Sequence, residues 1–307
     1  MNFQQLRILR ETTRWSFNLT EVSEALHTSP SGVSKHIRDL EDELGIQLFV
    51  RHGKRLLGLT EPGREMLRIV ERILRDLDNV KQLARDFTGR DSGAICIATT
   101  HTLARYRLSD TTGRFNALFP QVQIDLFPTS PTDIVERLRA GTADVAVGGL
   151  ETLEGHDDLA AFVLERWHHA VVVPHGHPLL ARQLVTLADL AAYPLIIGTF
   201  ARHKISQAFE AARLAPNIAL TAIDSDIIKA YTERGMGVGI VAPHAVDPQR
   251  DAALTVIPGE TLFPEYRTLI AVKKGRHLRS FDYRFIELCQ PLLDEAQVRR
   301  HAFATAG

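Results

Sequence analysis

Within residues 19–45, apolar side chains recur at Val33, Ile37, Leu40 and Leu44. That spacing lines one face of a helix with 3.6 residues per turn. Ser29 stands where an N-cap belongs, Pro30 at the first helical position and Gly45 just past the end. The opposite face carries Ser31, Ser34, Lys35 and Arg38, short or cationic side chains that let a helix approach a polyanion closely. Upstream, Phe3, Leu6, Leu9 and Thr13 mark one helix. Leu19, Val22, Ala25 and Leu26 mark a second, with Asn18 or Thr20 as its cap. A turn at His27, Thr28 and Ser29 makes the pair a helix-turn-helix, whose second helix enters the major groove of DNA. A plain helical hairpin with an exposed polar face has the same pattern.

The next residues favour DNA. Ile46, Leu48 and Phe49, then Leu56, Leu57 and Leu59, predict two short strands around a tip of Arg51, His52, Gly53, Lys54 and Arg55. No acid lies between Gln47 and Thr60, so this wing suits phosphate contact. Thr60, Glu61 and Pro62 then signal a helix start. Met66, Val70, Ile73, Leu77, Val80, Ala84 and Phe87 follow at alternating spacings of four and three, a coiled-coil seam. A helix of roughly 25 residues spans ~38 Å, and its narrow apolar stripe calls for a second copy of itself. Packing on the chain's own winged domain is the other use of the stripe. Residues 88–93 read as a hinge.

Beyond residue 93 the pattern switches to strands alternating with helices. Strands are expected at 94–98, 121–127, 143–147, 170–173, 194–197, 218–222, 238–241 and 267–272. Helices are expected at 103–118, 131–140, 205–214, 225–233 and 278–293. Such alternation predicts α/β architecture with mostly parallel sheet, in two lobes. A cleft at the strand ends is a small-molecule site. At the end of the first of these strands, Thr99, Thr100 and Thr102 offer hydroxyls beside a helix start, a place for an anion or for simple capping.

Composition sets outer bounds. The 307 residues carry a formal net charge of -1, so a nucleic-acid footprint must be local. No apolar run reaches ~18 residues, and the first residues lack the apolar core of a secretory signal. The two cysteines, Cys96 and Cys289, suit a reducing cytoplasm without disulfides. Gly235, Gly237 and Gly239 precede a strand instead of following one, which reads as a turn. His168, His169, His175 and His177 read as a solvated turn, since two of the four flank a proline-rich turn. No metal, cofactor or catalytic motif is apparent.

The helix-turn-helix, the string LEDELGIQLFVRHGK and the LTEPG helix start together resemble the LysR-type transcriptional regulators. The strings IATTHTLARY and IDSDIIKAYTERGMGVGIVAPHAVDP resemble the CysB-like subgroup. The resemblance implies a winged helix-turn-helix at 1–59 and a linker helix and hinge at 60–92. A two-lobed effector domain like a periplasmic binding protein follows at 93–307, with lobe I at 93–165 and 266–307 and lobe II at 166–265. Expected DNA contacts are Ser29, Ser31, Ser34, Lys35, Arg38, Arg51, Lys54 and Arg55, and expected dimer contacts Met66, Val70, Ile73, Leu77, Val80 and Ala84. In the subgroup the threonines matching Thr100 and Thr102 hold sulfate or an acetylserine-type effector. Leu103 stands where glutamine is usual and Gly149 where threonine is usual, while Arg202 and Lys204 add cations near Thr199. These five positions, Thr100, Thr102, Thr199, Arg202 and Lys204, are the expected anion site, for sulfate, thiosulfate, adenylyl sulfate or an acetylserine. Expected partners are an inverted-repeat promoter site on double-stranded DNA, the effector, further copies of the chain as dimer or tetramer, and RNA polymerase. A solute-binding protein and an enzyme fused to a winged helix are the competing classes.

Overall fold

The computed structural model describes residues 1–53, 55–88 and 92–303, without the side chains at 75, 81, 82 and 85–88. Lys54 and residues 89–91 of the expected hinge therefore lie outside the described residues. The chain divides into two compact units, Met1–Thr88 with Gly275–His277, and Gly89–Lys274 with Leu278–Gly307.

The first unit opens with α1 (Phe3–Arg14), α2 (Leu19–Ala25) and α3 (Pro30–Leu44). Asn18, not Thr20, caps α2, its side chain accepting from the Thr20 amide. Ser29 accepts from Gly32 N at 3.1 Å, and Gly45 ends α3 in the left-handed region at φ 67°. Strands β1 (Phe49–His52) and β2 (Arg55–Leu59) pair antiparallel with a bulge at Val50/Arg51, forming the expected wing. Helix α4 (Glu61–Thr88) begins where Thr60 Oγ1 accepts from Gly63 N. A Cβ on Gly63 would lie 2.1 Å from Leu48 O, so only glycine lets α4 pass the wing at this point.

The core of this unit joins Leu6, Ile8, Leu9, Val22, Val33, Ile37, Leu40, Leu48, Phe49 and Leu56 to Val70 and Leu74 of α4. Phe3, expected inside, is exposed, and Thr12 is fully buried instead. The seam of α4 divides. Val70 is buried, and Met66 and Ile73 pack against the unit's own core. Val80 and Ala84 are exposed, Leu77 is half-buried, and Ile69 and Leu83 add exposed apolar surface. The N-terminal half of the stripe thus serves the winged domain, and only the C-terminal half is left for a partner. Phe87 lies outside the described side chains.

The second unit has two five-stranded sheets. It runs through β3 (Ser92–Thr99), α5 (Ser109–Leu118), β4 (Gln121–Pro128), α6 (Pro131–Ala140), β5 (Val145–Gly149), α7 (Leu150–Leu153) and β6 (Leu159–Trp167). It crosses to β7 (Ala170–Pro174), α8 (Leu187–Ala191), β8 (Leu195–Gly198), α9 (Arg202–Ala211), β9 (Ile218–Ala222), α10 (Ser225–Glu233), β10 (Val238–Val241) and β11 (Leu254–Ile257). It returns with β12 (Tyr266–Lys273), α11 (Ser280–Cys289) and α12 (Glu295–Ala302). The sheet orders are β4-β3-β5-β12-β6 and β9-β8-β10-β7-β11. Each has two parallel pairings followed by two antiparallel ones. The sheets are thus mixed, not mostly parallel, because β6 and β11, neither expected from the sequence, close each sheet on its antiparallel side. Strand β6 also carries lobe I through Trp167, past the expected boundary at 165. The expected helix at 103–118 is broken: Leu103–Arg107 is a π-helical turn, and α5 starts only at Ser109.

Candidate functional site

Helix α3 shows one face to its core and the other to solvent. Val33, Ile37 and Leu40 are buried, while Ser29, Ser31, Lys35 and Arg38 are exposed and Ser34 is half-buried. The first turn is held by its own hydroxyls, with Ser29 Oγ 3.1 Å from Ser31 Oγ. Arg55 of the wing is exposed. These side chains form one candidate nucleic-acid surface.

Arg51 has a different task. Its Nη2 lies 2.7 Å from Glu41 Oε2, and the Glu41 side chain is only 2% exposed. The other Glu41 oxygen accepts from Leu48 N at 2.8 Å and Phe49 N at 3.2 Å. The carboxylate fastens the start of the wing to α3, and Arg51 completes its shell. Arg51, expected among the DNA contacts, is thus also tied to Glu41, with its side chain still 30% exposed. The sequence does hold a signal for this clamp: Glu41 follows Val33 and Ile37 at i+8 and i+4, an acid on the core-facing stripe.

The second unit holds a cavity of about 180 Å³ between its lobes, at the strand ends. Thr100, Thr102 and Leu103 reach it from the segment after β3, Gly149 and Thr152 from the end of β5 and from α7, and Ser225 from the first turn of α10. Thr100 Oγ1 accepts from Leu103 N, and Thr102 Oγ1 meets Ser225 Oγ across the lobes, both at 3.4 Å. Such contacts are long, so these hydroxyls keep capacity for a ligand. Thr99 is buried away from the cavity.

Thr199, Arg202 and Lys204 are not on the cavity wall. Thr199 and Arg202 are exposed, for α9 turns its start outward. Lys204 is ion-paired with Glu151 and lies 4.3 Å from the centre of the Tyr266 ring. The expected cationic gain is thus spent on a carboxylate of the rim. The other acid on the wall, Asp224, accepts from Ile227 N at 3.0 Å as the cap of α10.

The far wall is aromatic. Trp167 stacks on Tyr266 with ring centres 5.0 Å apart, and His169 stands edge-on to Tyr266 at 4.2 Å. Trp167 Nε1 donates to Thr268 Oγ1 at 3.0 Å. His169, expected on a solvated turn, is 4% exposed, and burial with nearby Lys204 and His244 pushes its pKa down to about 3. It is therefore neutral at physiological pH. Burial also lowers His244, against the pull of Glu165. His175 and His177 are tied to the protein locally, His175 to Thr255 and Ala252, His177 as a helix cap. Among the described residues no group of three or more His, Cys, Asp or Glu could hold a metal ion, and no helix is long and apolar enough to cross a membrane.

A second set of contacts ties the lobes beside the cavity. Tyr106 of the π turn donates to Asp226, and Lys229 Nζ donates to Tyr106 Oη at 2.8 Å and to Asp251 at 2.6 Å. Arg105 pairs with Asp226 at 2.8 Å. The turn that carries Leu103 into the cavity thus also carries the interlobe contacts.

Residues 3–64 match the model for the bacterial regulatory helix-turn-helix protein, lysR family, and residues 88–294 match the LysR substrate binding domain. The HTH-type transcriptional regulator SsuR of Burkholderia cenocepacia is 47% identical over 301 residues, 97% of each chain. The HTH-type transcriptional regulator CysB of the same organism is 46% identical over 303 residues, 98% of this chain and 96% of that one. The crystal structure of the cofactor-binding domain of the Cbl transcriptional regulator superposes with a TM-score of 0.67 at 36% identity, covering 70% of this chain and 95% of that one. With both domain models matched in order and relatives similar from end to end, the chain belongs to the LysR family of transcriptional regulators, among its CysB-like members.

Proposed function

We propose that this regulator reads an inverted-repeat promoter site with paired copies of α3 and the wing, and that a small anion of sulfur metabolism in the interlobe cavity controls it. The anion is of the sulfate, thiosulfate, adenylyl sulfate or acetylserine type. One observation carries the reading: Thr100 and Thr102 from one lobe and Ser225 from the other face the same cavity, with Thr102 and Ser225 in contact. A ligand there bonds both lobes, so occupancy biases how they close. Pairing through the exposed half of α4 gives a dimer or tetramer, and its symmetry requires operator half-sites about one helical turn apart. The protein acts in the cytoplasm, where its DNA and RNA polymerase are. Membership in a family of transcriptional regulators sets aside the solute-binding and enzymatic readings.

Footprinting on the DNA upstream of its own gene, with and without each candidate anion, tests the proposal. A dyad-symmetric footprint whose extent changes with one of them is expected. A footprint without a dyad, or one indifferent to all four anions, refutes it.

A further inference from the structure

The cavity wall is unevenly equipped. One end offers neutral donors, the hydroxyls of Thr100, Thr102 and Ser225. Among the described residues no lysine or arginine lines it; the nearest cation, Lys204, sits behind Tyr266 and is paired with Glu151, and the other carboxylate, Asp224, caps the start of α10. A Born penalty rises with the square of charge, so such a wall accepts a monoanion far more readily than a dianion. Trp167, Tyr266 and His169 line the cavity as one cluster of rings, and Phe200 lines it as well. A bare tetrahedral ion uses none of that surface.

The volume of about 180 Å³ is roughly six times the share of one water in the liquid, room for a head and a body. Gly149 keeps the space open, since a Cβ there would meet nothing closer than 4.0 Å.

We propose that the cavity takes an organic monoanion of the aryl sulfonate or aryl sulfate class in preference to inorganic sulfate. The oxyanion rests on Thr100, Thr102 and Ser225, and the flat group lies against Trp167 and Tyr266. This rests on the reading of the cavity as an oxyanion site.

Isothermal titration of the full chain with sulfate, methanesulfonate, benzenesulfonate and phenyl sulfate tests it. Sulfate and methanesulfonate differ in charge, and methanesulfonate and benzenesulfonate differ in the ring. Expected affinity rises in the order sulfate, methanesulfonate, benzenesulfonate, with phenyl sulfate near the last. Phe200→Ser changes a half-exposed side chain and leaves the fold intact, so it should weaken benzenesulfonate about two- to tenfold and leave methanesulfonate unchanged. Trp167→Leu should do the same more strongly. Sulfate binding as tightly as benzenesulfonate would overturn the proposal while leaving the oxyanion site standing. So would equal affinity for the methyl and phenyl sulfonates. Silence from all four, with heat from thiosulfate, adenylyl sulfate or an acetylserine, would overturn this proposal and leave the oxyanion site standing; silence from all seven would overturn both.

Discussion

Replacing Glu41 by alanine is the sharpest perturbation of the DNA-reading unit. The side chain is buried and accepts from two amides and one guanidinium. Alanine strands the Leu48 and Phe49 N–H groups in a closed site and releases Arg51. Breaking a buried pair by removing one partner costs about 3–5 kcal/mol. Arg51→Gln leaves the two amide bonds in place but takes the cation from a carboxylate that is only 2% exposed, so it too should destabilise the unit, by about 1–3 kcal/mol. Each unit contains one tryptophan, Trp15 and Trp167. In a Trp167→Phe background, Trp15 fluorescence during urea unfolding therefore reports the first unit alone. A loss below about 1 kcal/mol in Glu41→Ala would refute the clamp. DNA binding supplies a second check. A residue that contacts phosphate lowers the slope of log affinity against log salt by about 0.9 when neutralised. Arg51→Gln should weaken binding by loosening the wing and leave that slope unchanged. A lowered slope would return Arg51 to the phosphate contacts.

By the same measure, Lys35→Gln and Arg55→Gln should each reduce the salt slope by about 0.9 per copy bound, roughly 1.8 for a dimer, with little change in stability, and an unchanged slope removes the residue from the interface. Val80→Asp places a charge on the exposed half of α4 and should shift sedimentation toward the monomer, whereas Ile73→Asp should unfold the winged unit; an unshifted Val80→Asp protein refutes pairing through this helix. The folded pKa of His169, about 3, lies below the ordinary 6.5. The unfolded chain therefore takes up that proton first, and stability falls as pH drops from 6.5 toward 3, by up to about 1.4 kcal/mol per unit. Urea melts of His169→Leu should lose this part of the slope, and parallel profiles would refute a neutral buried imidazole. Gly149→Thr supplies an N-cap side chain to α7 and a hydroxyl facing the cavity; it should keep or raise the melting temperature and narrow the gap between sulfate and benzenesulfonate.

The DNA-reading half was legible because its signals are local. The N-cap, the stripe and the terminal glycine of α3 all fall within one short window, and the wing announces itself by its charges. Glu41 was readable only as an exception to the stripe, since its partners lie seven to ten residues on, across a turn. The cavity was half legible. Thr100 and Thr102 stand at a strand end that periodicity finds. Trp167 and Tyr266 come together because β6 and β12 pair, a contact across almost a hundred residues that no window contains. Strand β6 was missed because only two residues separate it from β7, with neither glycine nor proline between them. His169 opens an apolar run, Ala170 to Val173, and the rings of Phe263 and Tyr266 that enclose it lie almost a hundred residues further along the chain, outside any local window. Lys204 was misjudged because Glu151, which claims it, is remote along the chain.

The position of β12 also governs how the protein can be made. This strand lies between β5 and β6, and it is synthesised only after the whole of lobe II. Until residue 273 leaves the ribosome, β6 has no partner in its sheet and β5 has one open edge. Lobe II, whose five strands are contiguous in the chain, can close first. The earlier-made lobe waits for the later one, holding unpaired edges that invite association between nascent chains. Chains truncated before Tyr266 therefore keep a complete second lobe and should aggregate through the first.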